Sequence, residues 1–148
     1  MLLEAITSKQ KEILNNLKYF KEYYLAGGTA LALQIGHRIS VDFDFFSKKD
    51  IPKDLLPKIK KIFKGFKIKP AVNHSEQLTV NVNNVNLTFV KYPFPLILNL
   101  KEYKGIKMLR IEEIAATKAF SIGKRATLKD YIDLYFILKE KYASLEKI

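Results

Sequence analysis

The stretch from Tyr23 to Ser47, YYLAGGTALALQIGHRISVDFDFFS, restricts the fold more than any other segment. Two adjacent glycines interrupt an apolar run, and about a dozen residues later Asp42 and Asp44 alternate with Val41, Phe43 and Phe45. Alternation is the period of a strand, so Val41 to Phe46 is expected to be extended, with Val41, Phe43 and Phe45 on one face and Asp42, Asp44 and Phe46 on the other. Tyr23 to Ala26 reads as a short strand and Gly27-Gly28 as a tight turn. Thr29 to Gln34 reads as a helix closed by Gly36 as its C-cap.

Carboxylates at positions i and i+2 of a strand share a face, their Cα atoms roughly 6.5 to 7 Å apart. That spacing suits joint ligation of a hard divalent cation, whereas two charges buried on an apolar strand without one would be costly. The alternative is a half-exposed strand whose aspartates face solvent. Gly27 and Gly28 permit a backbone path that a Cβ would block, and amides at a helix N-terminus are a ready site for phosphate oxygens, although most Gly-Gly pairs are ordinary turns. Thr29 is expected either to cap the helix or to offer its hydroxyl to the same phosphate.

Charge bears on what would bind such a site. The 148 residues carry a net charge of +11, almost all from lysine because Arg38, Arg110 and Arg125 are the only arginines. A basic surface favours polyanions such as RNA or nucleotides; a general lysine bias of the source proteome would give the same composition. The absence of cysteine excludes disulfides and thiolate metal sites, and with His37 and His74 alone a histidine zinc site is not expected. The two histidines are assigned no chemistry. No apolar run reaches the ~18 residues of a membrane span, and Glu4, Lys9, Lys11 and Glu12 stand where a signal peptide would be apolar. A cytoplasmic protein with no membrane partner is expected.

The remaining sequence reads as one domain over 1–148, without repeats or linkers. A helix is expected over 7–22, a second over 52–63 with Pro52 near its first position, a strand over 66–72, and a hairpin of 78–82 with 85–90 across Asn83-Asn84. Lys107 to Arg110 reads as a short edge strand after an irregular stretch. A helix follows over 111–122, interrupted by Gly123, and a last one from Thr127 to about Lys141, where Thr127 and Asp130 have the spacing of a capping box. Helices bracketing a small mixed sheet, packed mainly on one face, make the fold α+β.

Lys118, Arg125, Lys129, Asp130 and Asp133 cluster near the C-terminus. Each has an ordinary reading: a solvated helix lysine, cations that meet helix-end carbonyls or pair with Asp133, an acid at a helix N-terminus. Arg38 could offer countercharge to a phosphate or form a surface ion pair.

Taken together, GGTALALQIGHRISVDFDFFS resembles the Gly-Gly/Ser…Asp-X-Asp motif of the nucleotidyltransferase superfamily, in the form found in the AbiEii/AbiGii toxin family. KAFSIGKRATLKDYIDLYFIL is similar to that family's Lys-X-X-Ala/Arg/Lys-Asp-X-X-Asp-Leu signature through Lys118, Ala119, Arg125, Lys129, Asp130 and Asp133. The resemblance implies a minimal polymerase-β-like nucleotidyltransferase fold. It implies that Gly27, Gly28 and Thr29 hold a triphosphate, with Arg38 and Arg125 as further nucleotide contacts, and that Asp42 and Asp44 bind Mg2+, or Mn2+ in its place. Lys118 would steady phosphate or activate the attacking group, and Asp130, with Asp133, would complete the site. The implied partners are an NTP, an RNA acceptor with tRNA foremost, and an antitoxin protein.

Many enzymes of the superfamily carry a third carboxylate on the adjacent strand, where VNVNNVNLTFV offers Asn81, Asn83, Asn86 and Thr88. Neutral oxygens hold magnesium more weakly. Larger family members also carry a C-terminal helical extension that this sequence lacks, so acceptor recognition is expected to be reduced or supplied by a partner. The leading expectation is a magnesium-dependent transferase. The competing one is a catalytically silent nucleotide- or RNA-binding module, and AMP transfer to protein ranks third.

Overall fold

The computed structural model describes residues 1–125 and 127–147. Thr7 opens the first helix, α1 (Ser8–Leu14), with a reciprocal cap: its hydroxyl accepts from the Gln10 amide, and the Gln10 side chain accepts from the Thr7 amide. The helix expected to run to residue 22 tightens into a 3-10 segment, Asn15–Tyr19. Asn15 and Asn16 are poor helix-interior residues because their side chains compete for backbone groups. Strand β1 (Tyr24–Ala26) leads directly into α2 (Gly27–Ile35), which ends on Gly36 in the left-handed conformation at φ +66°.

Strand β2 is Phe43–Ser47, starting two residues later than expected. Val41 precedes it and is 46% exposed, so it does not share the buried face of Phe43 and Phe45. Helix α3 is Leu55–Ile62; Pro52 lies before it, its carbonyl accepting from the Leu55 amide. Strands β3 (Ile68–His74), β4 (Gln77–Val82) and β5 (Val85–Lys91) form a meander. The β4–β5 turn places Asn83 and Asn84 at φ +51° and +70°, the double left-handed geometry of a tight hairpin.

Where an irregular stretch was expected, β6 (Lys101–Tyr103) pairs with β7 (Ile106–Met108). That pairing makes β7 internal rather than an edge, since it also lies parallel to β1. Helix α4 (Ile111–Lys124) passes through Gly123 without a break, and α5 (Leu128–Lys139) starts at Thr127, whose hydroxyl accepts from the Asp130 amide.

The seven strands form one mixed sheet in the order β3-β4-β5-β2-β1-β7-β6. Strands β2, β4 and β5 bury alternate residues. Phe43, Phe45, Leu78, Val80, Leu87 and Phe89 are fully enclosed, while Asp44, Thr79, Asn81, Asn86 and Thr88 on the other face keep contact with solvent. Phe45 and Phe89 stack at 5.1 Å, and Phe20 packs on both, at 5.8 and 5.0 Å, with Phe63 of the α3 end behind it. Truncating any of these enclosed rings to alanine would cost about 3–5 kcal/mol. The fold is the α+β arrangement expected. Among the described residues no helix is long and apolar enough to cross a membrane.

Candidate active site

Strand β1 delivers the chain to Gly27 at φ +68°, a conformation that favours glycine. A Cβ there would lie 2.7 Å from Oδ2 of Asp44; a Cβ on Gly28 would collide with the Arg38 guanidinium and lie 3.1 Å from Oδ2 of Asp133. The two glycines are thus the floor on which a carboxylate and an ion pair rest. Ala26 gives α2 no side-chain cap, which leaves the first-turn amides to another acceptor.

Thr29 is neither that cap nor an outward hydroxyl. It is buried, donates to the Asp42 carbonyl, and lies 2.5 Å from the Ser40 hydroxyl. Gln10, also buried, donates to the same carbonyl at 3.3 Å. These bonds fix the backbone on entry to β2. Asp42 therefore stands just ahead of the strand rather than within it, with Asp44 inside.

Both aspartates line a cleft of about 600 Å³ together with Gly28, Thr29, Arg38, Lys118, Arg125 and Asp130. Neither takes part in an ion pair among the described residues. Burial, then the neighbouring charge of Asp42, pushes the Asp44 carboxyl up to about 6, against the opposing pull of Lys118, Arg125 and Lys129.

Across the cleft, α4 and α5 build a cationic wall around two fully buried carboxylates. Lys118 Nζ bridges Asp130 at 2.9 Å and Asp133 at 2.7 Å. Arg125 adds two bonds to Asp130, at 2.9 and 3.2 Å, and the Thr127 hydroxyl a third at 2.7 Å. Arg38 grips Asp133 through both oxygens, at 2.7 and 3.0 Å, and His37 Nε2 lies 2.6 Å from it. Burial pushes both carboxyls up, but these donors outweigh it: they hold Asp130 at about 2 and Asp133 well below the usual carboxylate range. Three permanent cations thus face two carboxylates, leaving positive charge toward the cleft.

The residues singled out from the sequence converge here, but not in equal roles. Lys118 is 6% exposed and shared by two carboxylates, and Asp130 is fully enclosed, so both build the wall rather than point into the cleft. Arg125, with 63% of its side chain exposed, has its outer surface free. His37, given no chemistry from the sequence, is a buried partner of Asp133. Ser40 was also overlooked. Asp133 falls one helical turn from Asp130, the spacing that places two side chains on one face.

Asp42 and Asp44, unpaired and facing one cleft, fit a hard divalent cation that completes its shell with water and phosphate oxygens. No group of three acidic or histidine side chains suited to a metal occurs among the described residues. Directly opposite Asp44 in the parallel β2–β5 ladder stands Thr88.

Residues 11–148 match the sequence profile described as nucleotidyl transferase AbiEii toxin, type IV TA system. The chain belongs to the AbiEii nucleotidyltransferase toxin family. It is similar to the uncharacterized protein aq_aa25 of Aquifex aeolicus, 30% identical over 151 residues that span 99% of this chain and 73% of that protein. Among solved structures, JHP933 from Helicobacter pylori superimposes with a TM-score of 0.69 at 22% identity, covering 94% of this chain and 69% of that one. The Megavirus polyadenylate synthase superimposes with a TM-score of 0.61 at 18% identity, covering 88% of this AbiEii-family chain and 30% of that one. These likenesses establish the polymerase-β-like nucleotidyltransferase fold.

Proposed function

We propose that this AbiEii-family protein is a magnesium-dependent nucleotidyltransferase that transfers a nucleotide from an NTP to RNA, with tRNA as the favoured acceptor. One observation carries the reading: unpaired Asp42 and Asp44 face a cationic wall across a cleft that begins at the uncapped N-terminus of α2. The α2 amides and Arg38 would bind the triphosphate, and Arg125 with Lys129 would offset charge developing on it. Asp42 and Asp44 would hold Mg2+, or Mn2+ in its place, which supplies Lewis-acid stabilisation of the phosphoryl oxygens. In the transfer, an acceptor hydroxyl oxygen bonds the α-phosphorus, its proton passes to solvent water, and the bond from the α-phosphorus to the bridging oxygen breaks to release pyrophosphate. We assign Lys118, Asp130 and Asp133 to positioning, because they hold Arg38 and Arg125 at the cleft. The type IV family context supports an antitoxin partner.

Incubation with each labelled NTP, Mg2+ and total tRNA is expected to label RNA, and the Asp42→Ala/Asp44→Ala variant to abolish the label. Label on protein instead would indicate AMP transfer to a side chain. Thr88, at the position opposite Asp44, favours a second reading: a silent module that binds nucleotide without turnover. Calorimetric binding of ATP or GTP with Mg2+, combined with no transfer to any acceptor, would select it.

A further inference from the structure

We propose that a row of aromatic rings running from the Asp44 strand to α4 is a stacking platform for single-stranded nucleic acid, and that it seats the unpaired end of the acceptor. This inference rests on the reading of the protein as acting on RNA. The row begins at Phe46, two residues past Asp44 on the same face of β2, roughly 7 Å along the strand. Tyr92 stacks on Phe46 at 4.6 Å with 20° between ring planes. Phe94 follows at 5.2 Å and Phe120 of α4 at 5.3 Å, both edge to face. Lys124 places its ammonium 4.8 Å above the Phe120 ring.

Phe94 is 46% exposed and Phe120 44%, so an enclosed core does not explain their alignment. Their positions are nonetheless fixed. Pro93 and Pro95 flank Phe94 and restrict its backbone. The Tyr92 amide donates to the Ser47 carbonyl at 2.7 Å. Farther along, the Glu113 carboxylate accepts from the Ile97 and Leu98 amides, and Arg110 Nε donates to the Asn99 carbonyl at 2.8 Å. A loop ordered this way presents its ring with little entropy left to lose on binding.

Charge and continuity name the occupant. Bases stack on aromatic faces whatever their identity, while phosphates seek cations, and the protein carries +11 with a lysine over the terminal ring. The row starts beside the carboxylates, where the acceptor's end has to arrive. Within a duplex the base faces are covered by neighbouring pairs, leaving only those at its two ends.

The test is fluorescence anisotropy of a short labelled single-stranded RNA without NTP or divalent cation, beside the same sequence as a duplex. The wild type is expected to prefer the single strand. Phe94→Ala and Phe120→Ala are each expected to weaken binding roughly 5- to 100-fold while leaving its salt dependence unchanged. Phe94→Leu and Phe120→Leu retain apolar bulk without a π-face and should weaken it similarly, with unchanged melting confirming the fold. Unaltered binding in the alanine variants, full binding in the leucine variants, or equal duplex affinity would overturn the platform; the leucine result would point to a protein partner. Ring-dependent binding without nucleotide transfer would remove the transferase reading and leave the platform standing, whereas transfer indifferent to both rings would do the reverse.

Discussion

The carboxylate of Asp44 occupies the space that a side chain on Gly27 would need, 2.7 Å from the position of its Cβ. At φ +68° the backbone also disfavours any L-residue. Gly27→Ala is therefore expected to cost about 1–3 kcal/mol and to displace the carboxylate. Thermal melting reads the first effect, and Mg2+ titration by calorimetry the second; affinity should fall at least several-fold.

Asp44 should make the protein's stability fall with rising pH over a defined window. With its carboxyl at about 6 when folded and near 3.8 when unfolded, the folded state binds more protons between those values. This group's penalty thus grows from about pH 4 to pH 6 and is complete above. Asp44→Asn should be more stable than wild type by about 3 kcal/mol at pH 8 without divalent cations, and no more stable at pH 4. Urea unfolding at the two pH values checks this. Added Mg2+ should raise the wild-type melting temperature more at pH 8 than at pH 5.

Asp130 and Asp133 act in the opposite sense. Their carboxyls are held low in the folded protein, so their contribution is present above about pH 4 and is lost as pH falls toward 2. Acid unfolding followed by circular dichroism should show a steep transition in that range. Asp133→Ala, which leaves Arg38 and Lys118 without a shared buried counter-ion, should cost about 3–5 kcal/mol at neutral pH.

Thr88 offers a gain-of-function test. Its hydroxyl lies 3.2 Å from that of Thr79, an exchange across the β4–β5 pair that an aspartate could forgo at modest cost. Thr88→Asp should tighten Mg2+ binding about tenfold by adding a charged oxygen ligand opposite Asp44. Isothermal titration at pH 8 measures it; unchanged affinity would separate the cation from this face of the sheet.

What the sequence disclosed about this fold depended on whether the signal was local. The Asn83-Asn84 hairpin, the Gly36 cap and the Thr127 cap are written in adjacent residues and were legible. The Asp42 and Asp44 pair was legible as a pair, but its placement was not: Thr29 and Gln10 pull the Asp42 carbonyl out of the ladder, and both are remote contacts. Strand β6 was missed because KEY carries no alternation, its pairing with β7 being set by a turn at Lys104-Gly105 with both residues at positive φ. His37 was passed over for a related reason. Its partner lies 96 positions away, and nothing near a lone histidine announces a buried carboxylate.

That separation bears on synthesis. Arg38 and His37 leave the ribosome long before Asp133, yet neither has its counter-ion until α5 has been made. A nascent chain could shape the β1–α2 turn and the Asp44 strand early, but the charged wall that faces them closes only after α5 has been made. The cleft is thus complete only once the partner of His37, 96 positions downstream, has been made.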